Sequence, residues 1–267
     1  MEWWHAVVLA TIQGLTEFLP VSSSGHLVLL PRFLGWSDQG LAFDVAVHVG
    51  TLLGVLVYFR RDLQPLATGA IAWLRGDRGN TYGRLAINLL VATIPVGLVG
   101  LLCNDFIETK LRSPAVVAFQ LAVFGIVLWL ADRFSKEART ETSLSLRDAV
   151  AIGCAQALAL VPGTSRSGIT MSAGRALGLT REAAARFAFL LAIPGIGLAG
   201  LYEAYLFTTS PLAYIAPREV MIGFVVAAVV GYACIHWFLR AIARIGFLPF
   251  TLYRLALAGA IVLTFYA

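Results

Sequence analysis

Apolar side chains fill eight stretches of this chain, and polar residues gather in the short segments between them. Six stretches, 41–59, 84–102, 114–131, 183–206, 217–239 and 247–266, come close to the run of about 20 residues that a helix needs to cross the hydrocarbon core of a bilayer. Each is predicted to be a transmembrane helix. The other two, 3–30 and 147–175, are apolar at both ends but interrupted by LPVSSSGH and VPGTSRSG. Pro and Gly break a helix there, and each half is then too short to span. Non-helical backbone at membrane depth survives only where protein buries it or where it lines a wet cavity. Both stretches are therefore predicted to be re-entrant helix-loop-helix hairpins with their loops inside the bundle.

The two interrupted stretches resemble one another. Leu19-Pro20 followed by Ser22-Ser23-Ser24-Gly25 echoes Val161-Pro162 followed by Thr164-Ser165-Arg166-Ser167-Gly168, with a one-residue offset. Each is followed by three full crossings, so the expected fold class is an all-α polytopic membrane protein, a single integral-membrane domain over 1–267 built as an inverted-topology repeat. Repeat 1 covers about 1–135 and repeat 2 about 145–267. An odd number of crossings between the hairpins brings the second in from the opposite face, and the two loop tips should meet near the midplane.

Composition agrees with this reading. Hydrophobic residues make up 59% and charged residues 13%, against about a quarter charged in soluble domains, and the mean hydropathy is +0.81. The net charge of +5 is no sign of nucleic-acid binding, because the basic residues lie in short loops, where they act as topology signals. With both ends of the first hairpin on one side, that side receives Arg32, Lys110, Arg112 and Arg218. The other receives the fourteen Lys and Arg of 60–84, 133–147, 175–186 and 240–244, leaving Arg166 and Arg254 inside the membrane. The positive-inside rule then places the richer side in the cytoplasm, and both termini and the mouth of the first hairpin outside. The first apolar run lacks a basic flank or small-residue cleavage site and is expected to be retained. Cys103, Cys154 and Cys234 form no C-x-x-C pair and are expected to be core side chains.

Polar groups within the hairpins are the candidates for chemistry, since an intramembrane ionisable residue is costly and is functional by default. Glu17, Ser22, Ser23, Ser24 and His26 bring a carboxylate, hydroxyl nucleophiles and an imidazole together, a set that suffices for acid-base or nucleophilic catalysis. In a soluble protein the serines would more often cap a helix and His26 be a satisfied core histidine. The second loop, Gly163, Thr164, Ser165, Arg166, Ser167 and Gly168, reads as an anion nest ahead of a helix starting near Ser167, with Arg166 as a phosphate fork or as the ion-pair partner of Glu17. Thr170 would donate to phosphate or bond back to its own helix. Asp44 and His48 share a helix face and brace the site or sit at an interface. Arg254 is expected to pair with a buried acid or to snorkel. A buried cation, a nest and an acid-base pair together point to phosphoryl transfer; a lipid or anion transporter or flippase using the same midplane site is the alternative.

QGLTEFLPVSSSGH, Gln13 to His26, and PGTSRSG, Pro162 to Gly168, resemble the bacterial undecaprenyl-diphosphate phosphatase family associated with bacitracin resistance. FDVAVHVGTLLGVLVYFRRD and RFAFLLAIPGIGLAG extend the likeness over nearly the whole chain. The resemblance implies an enzyme of the bacterial cytoplasmic membrane that removes the terminal phosphate of undecaprenyl diphosphate on its outer face, recycling the carrier for cell-wall synthesis. It implies a catalytic set of Glu17, Ser23, His26 and Arg166. Gln13, with Ser22, Ser24, Gly163, Thr164, Ser165, Ser167, Gly168 and Thr170, is expected to bind substrate. Gln13 stands where many relatives carry Glu, which weakens a two-carboxylate site for Mg2+ or Ca2+, the one candidate cofactor, to be held through Glu17 or brought in on the diphosphate. The expected partners are a polyprenyl diphosphate lipid and membrane lipids, with a second copy of the chain as the candidate for a homodimer, and no nucleic acid. The expected mechanism has Ser23 attacking phosphorus while His26 takes its proton; His26 itself or water are the competing nucleophiles.

Overall fold

The computed structural model describes residues 2–36, 39–136, 138–209 and 217–266. Eleven α-helices account for nearly all of them, among the described residues. The first hairpin is α1 (Trp3–Thr16) and α2 (Ser23–Leu34), followed by α3 (Leu41–Tyr58), α4 (Arg60–Leu74), α5 (Thr81–Lys110) and α6 (Pro114–Phe134). The second is α7 (Leu146–Ala157) and α8 (Arg166–Ala176), followed by α9 (Arg181–Thr209), α10 (Pro217–Ile245) and α11 (Leu248–Tyr266). Among the described residues five of these, α5, α6, α9, α10 and α11, are long and apolar enough to cross a membrane. A sixth candidate is α3 taken with α4, from which it bends by 81°. At 1.5 Å per residue α3 alone is about 27 Å long, close to the hydrocarbon thickness of about 30 Å. The chain is an all-α polytopic membrane protein.

Helix α4 is the element that the apolar runs did not announce. Residues 60–74 lie between the apolar runs 41–59 and 84–102, with basic and polar residues diluting their apolar positions. Yet Leu63 and Leu66 lie on one face, with Leu66 buried, while Arg60 and Arg61 stay exposed. Gly69 of α4 meets α5 so closely that a Cβ there would lie 2.6 Å from the Gly83 nitrogen. Arg186 at the start of α9 fixes α4 from the other side, donating to Asp62 at 2.8 Å and to Glu141 at 2.8 Å.

Packing follows a crosswise pattern. α1 lies on α10 as α7 lies on α5; α6 pairs with α11 and α3 with α9. Exchanging the first five membrane-embedded helices (α1, α2, α3, α5, α6) for the last five (α7 to α11) maps each of these pairs onto another or onto itself. The most extensive seam is α3 against α10, where a Cβ on Gly54 would come within 2.7 Å of the Ala228 carbonyl. Small residues at such seams let helix backbones approach in lipid. Phe18, at the end of the first hairpin arm, stacks edge-on against Phe189 at 5.4 Å, and Phe189 meets Phe238 at 5.6 Å. This aromatic layer closes the core beneath the two loops.

Candidate active site

Both hairpin loops break their helices in the same way, and the break sets their register. Ser22 and Ser165 are the two non-glycine residues with positive φ among those described, at 75° and 71°, and α2 and α8 start immediately after them. Each is linked to the serine two residues on: the Ser22 and Ser24 hydroxyls lie 3.3 Å apart, those of Ser165 and Ser167 3.2 Å apart. The offset seen when the prolines are aligned disappears when these serines are. Ser23 then corresponds to Arg166, Gly25 to Gly168 and Gln13 to Gln156.

The two loop tips meet, as expected of opposed hairpins. Glu17 caps the C-terminus of α1 and is buried. One carboxylate oxygen, Oε1, accepts from Arg166 Nη2 at 2.6 Å; the other, Oε2, accepts from Ser23 Oγ at 2.7 Å and from Gln13 Nε2 at 3.0 Å. The equivalent residues of the two loops therefore take opposite sides of one carboxylate. His48 Nε2 stands 3.9 Å from Oε2, its Nδ1 donating to the Asp44 carbonyl at 2.7 Å. Arg166 is held by a second bond, Nη1 to the Ala188 carbonyl at 3.2 Å. Ser167 Oγ donates across the contact to the Leu19 carbonyl at 2.9 Å.

Arg254 of α11 holds the tips together from behind, and not in the expected way. Its guanidinium is fully buried, and its hydrogen-bond partners among the described residues are backbone carbonyls: Pro20 of the first loop, Gly163 and Thr164 of the second, and Gln120 and Leu121 of α6, at 2.9–3.3 Å. A five-donor fork suits this task because unwound loops leave carbonyls without helical partners. Gly163, with φ of 97°, admits no side chain, since a Cβ there would lie 2.6 Å from the Val117 carbonyl. Gly168 leaves room for the guanidinium, 3.1 Å from where its Cβ would be.

The remaining candidates divide. Ser165 is the N-cap of α8, accepting from Gly168 N–H at 3.1 Å. Thr164 is buried, its hydroxyl without a partner among the described residues. Thr170 bonds back to the Arg166 and Ser167 carbonyls, so the bland alternative holds for it. His26 is the main departure from expectation. Its Nδ1 lies 2.7 Å from the Ser22 carbonyl and its Nε2 2.6 Å from the Tyr253 hydroxyl, while the Ser23 hydroxyl donates to Glu17 instead. In this structure the base beside Ser23 is the carboxylate. Tyr253 carried no signal of its own in the sequence. His48, expected with Asp44 to brace the site or sit at an interface, faces Glu17, and choosing between the two required the fold.

These residues do not fit a resident hard dication. Such an ion takes several oxygen ligands, usually more than one of them carboxylate. Here a single carboxylate is already neutralised by a guanidinium at 2.6 Å, and Gln13 turns its amide nitrogen toward it. Among the described residues no group of three or more His, Cys, Asp and Glu side chains is placed to hold a metal.

Comparison with known proteins completes the assignment. The model of a family described as bacitracin resistance protein BacA matches residues 6–260. This chain belongs to that family. It is 52% identical over 257 residues to an undecaprenyl-diphosphatase of Teredinibacter turnerae, covering 96% of this chain and 97% of the relative. It is 50% identical over 269 residues to an undecaprenyl-diphosphatase of Saccharophagus degradans, covering all of both. The undecaprenyl-diphosphatase 2 of Stutzerimonas stutzeri is 48% identical, with 99% of each chain covered. Glu17 and the three residues that bond to its carboxylate, Gln13, Ser23 and Arg166, all lie within the matched span.

Proposed function

We propose that the chain is a phosphohydrolase that removes the terminal phosphate of undecaprenyl diphosphate, returning the lipid monophosphate to cell-wall synthesis and so conferring bacitracin resistance. The observation that carries this reading is Glu17, held between a hydroxyl from one hairpin and a guanidinium from the other. Ser23 Oγ attacks the terminal phosphorus while its proton passes to Glu17 Oε2. The bond from phosphorus to the bridging oxygen breaks, and the lipid monophosphate leaves with that electron pair. A protonated Glu17 no longer holds Arg166, which turns, still tethered to the Ala188 carbonyl, to the oxygens of the phosphoryl group. Water then attacks phosphoserine, Ser23 Oγ recovers the proton from Glu17, and inorganic phosphate departs.

The enzyme lies in the bacterial cytoplasmic membrane as a single domain of two inverted repeats, supported by the crosswise helix packing, with both termini and the site's mouth on the outer side. A divalent cation, where needed, arrives on the diphosphate as part of the substrate. Purified protein should release phosphate from a C15 or C55 polyprenyl diphosphate, and Ser23→Ala and Arg166→Ala variants that still fold should lose about 10²-fold or more, the scale of a lost nucleophile or oxyanion partner. Chelator should slow the reaction in a way that Mg2+ restores. Lipid movement across vesicles without phosphate release would replace the enzyme with a carrier.

A further inference from the structure

His26 is the member of the expected catalytic set that phosphoryl transfer through Ser23, Glu17 and Arg166 leaves unused, and its bonds say what it does. A carbonyl oxygen only accepts, so Nδ1 must carry the proton that bonds Ser22, at 2.7 Å. In the neutral ring Nε2 is then an acceptor, and the Tyr253 hydroxyl fills it at 2.6 Å. The two rings lie parallel within 7°, their centres 5.7 Å apart. Neither nitrogen is committed to Ser23.

The Ser22 carbonyl belongs to the same peptide unit as the Ser23 N–H, and in a planar trans peptide the two point in opposite directions. A ring that draws the Ser22 carbonyl back turns the Ser23 N–H outward, directly after Ser22, whose positive φ is uncommon for a serine. The second loop is braced one peptide earlier, before its positive-φ serine and not after it. Arg254 draws back the Thr164 carbonyl at 2.9 Å, and the N–H of the same peptide unit is that of Ser165, the other positive-φ serine. Tyr253 and Arg254 are consecutive residues of α11, so one helix sets the carbonyl of each loop.

We propose that Tyr253 and His26 are positioning residues: Tyr253 fixes the tautomer of His26, and His26 Nδ1–H fixes the Ser22–Ser23 peptide so that the Ser23 N–H faces the terminal phosphate. This rests on the phosphatase reading and adds to it the residues that aim the first loop. His26 moves no proton in the reaction.

The test uses full-length protein and phosphate release from a polyprenyl diphosphate. The amide nitrogen of Asn stands near the place of Nδ1, that of Gln near Nε2. His26→Asn should keep kcat within about fivefold of wild type, while His26→Ala and His26→Gln fall about 10- to 100-fold, short of the 10²–10³ lost with a whole oxyanion donor. Tyr253→Phe should cost severalfold on its own and nothing further in the His26→Asn background. The acid limb of the pH profile should be the same in His26→Asn as in wild type. A His26→Asn variant that folds yet is as slow as His26→Ala, or that loses the acid limb, overturns the proposal in favour of an acid-base histidine. A ¹⁵N spectrum of histidine-labelled protein reads the same point without turnover: the His26 signals should report Nδ1–H and an Nε2 acceptor that shifts in Tyr253→Phe, and a protonated Nε2 would sink the proposal. Wild-type protein that releases no phosphate would remove the phosphatase reading alone, leaving that spectrum to decide the tautomer.

Discussion

Glu17 bears three hydrogen bonds on two oxygens, and its loss separates the catalytic from the structural share of the site. Glu17→Gln keeps the shape and removes the charge. Arg166 is then a mostly buried cation without its counter-ion, and breaking such a pair from one side costs about 3–5 kcal/mol. Ser23 also loses its base, worth about 10²–10⁴ in rate. Glu17→Gln should therefore lower both the melting temperature in detergent and kcat. The double variant Glu17→Gln, Arg166→Gln should regain much of the stability and none of the activity, since the stranded charge is gone but the chemistry is too. Equal stability losses in the single and double variants would show that the ion pair does not hold the hairpins together. Legibility at this scale was uneven for a physical reason. Glu17, Ser23 and Arg166 declared themselves because a membrane penalises any polar group without a purpose. The role of His26 did not, and that of His48 stayed open between site and interface, because a hydrogen bond to Tyr253, 227 residues away, or a 3.9 Å approach to Glu17 depends on the fold.

At the scale of elements, unwinding two helices inside a bundle creates carbonyls that need donors, and α11 supplies them through Arg254. Lys in its place would keep the charge but offer three donors from a single point where five carbonyls converge. At about 1–3 kcal/mol for each buried group left unsatisfied, Arg254→Lys should lower stability by about 2–4 kcal/mol and reduce phosphate release with it. Calorimetry or a thermal-shift assay in detergent measures the first; a variant that melts like wild type would show that the carbonyls find other donors. The crossings were readable from their apolar runs and the hairpins from their polar interruptions. Helix α4 was not, because an amphipathic helix lying across the bundle needs only one apolar face, and its arginines hid that face in a count of charges. Arg254 was noticed as an anomaly in TLYRLALAG, but the expectation of an acid partner overlooked that broken helices are themselves a source of acceptors.

For the whole molecule, the crosswise packing and the distribution of arginines bear on one question, which way round the protein sits. Had the two hairpins entered from the same face, the same basic residues would be shared between both sides and the positive-inside rule would give no preference. The proposed inverted arrangement gathers them on one side, and the exposed Arg60 and Arg61 of α4 are among those it assigns there. Arg78, in the turn before α5, and Ser113, in the turn before α6, are both exposed and lie at opposite ends of α5. With Cys103, Cys154 and Cys234 replaced by Ala, a single cysteine at 113 should react with a membrane-impermeant maleimide on intact cells, while one at 78 should react only after the membrane is opened. The expected contrast is all-or-none, because a crossing helix separates the two positions by the full bilayer. Labelling at 78 from outside would invert the molecule and carry the mouth of the site to the cytoplasm, where a phosphatase would act on the lipid carrier only after it had returned across the membrane.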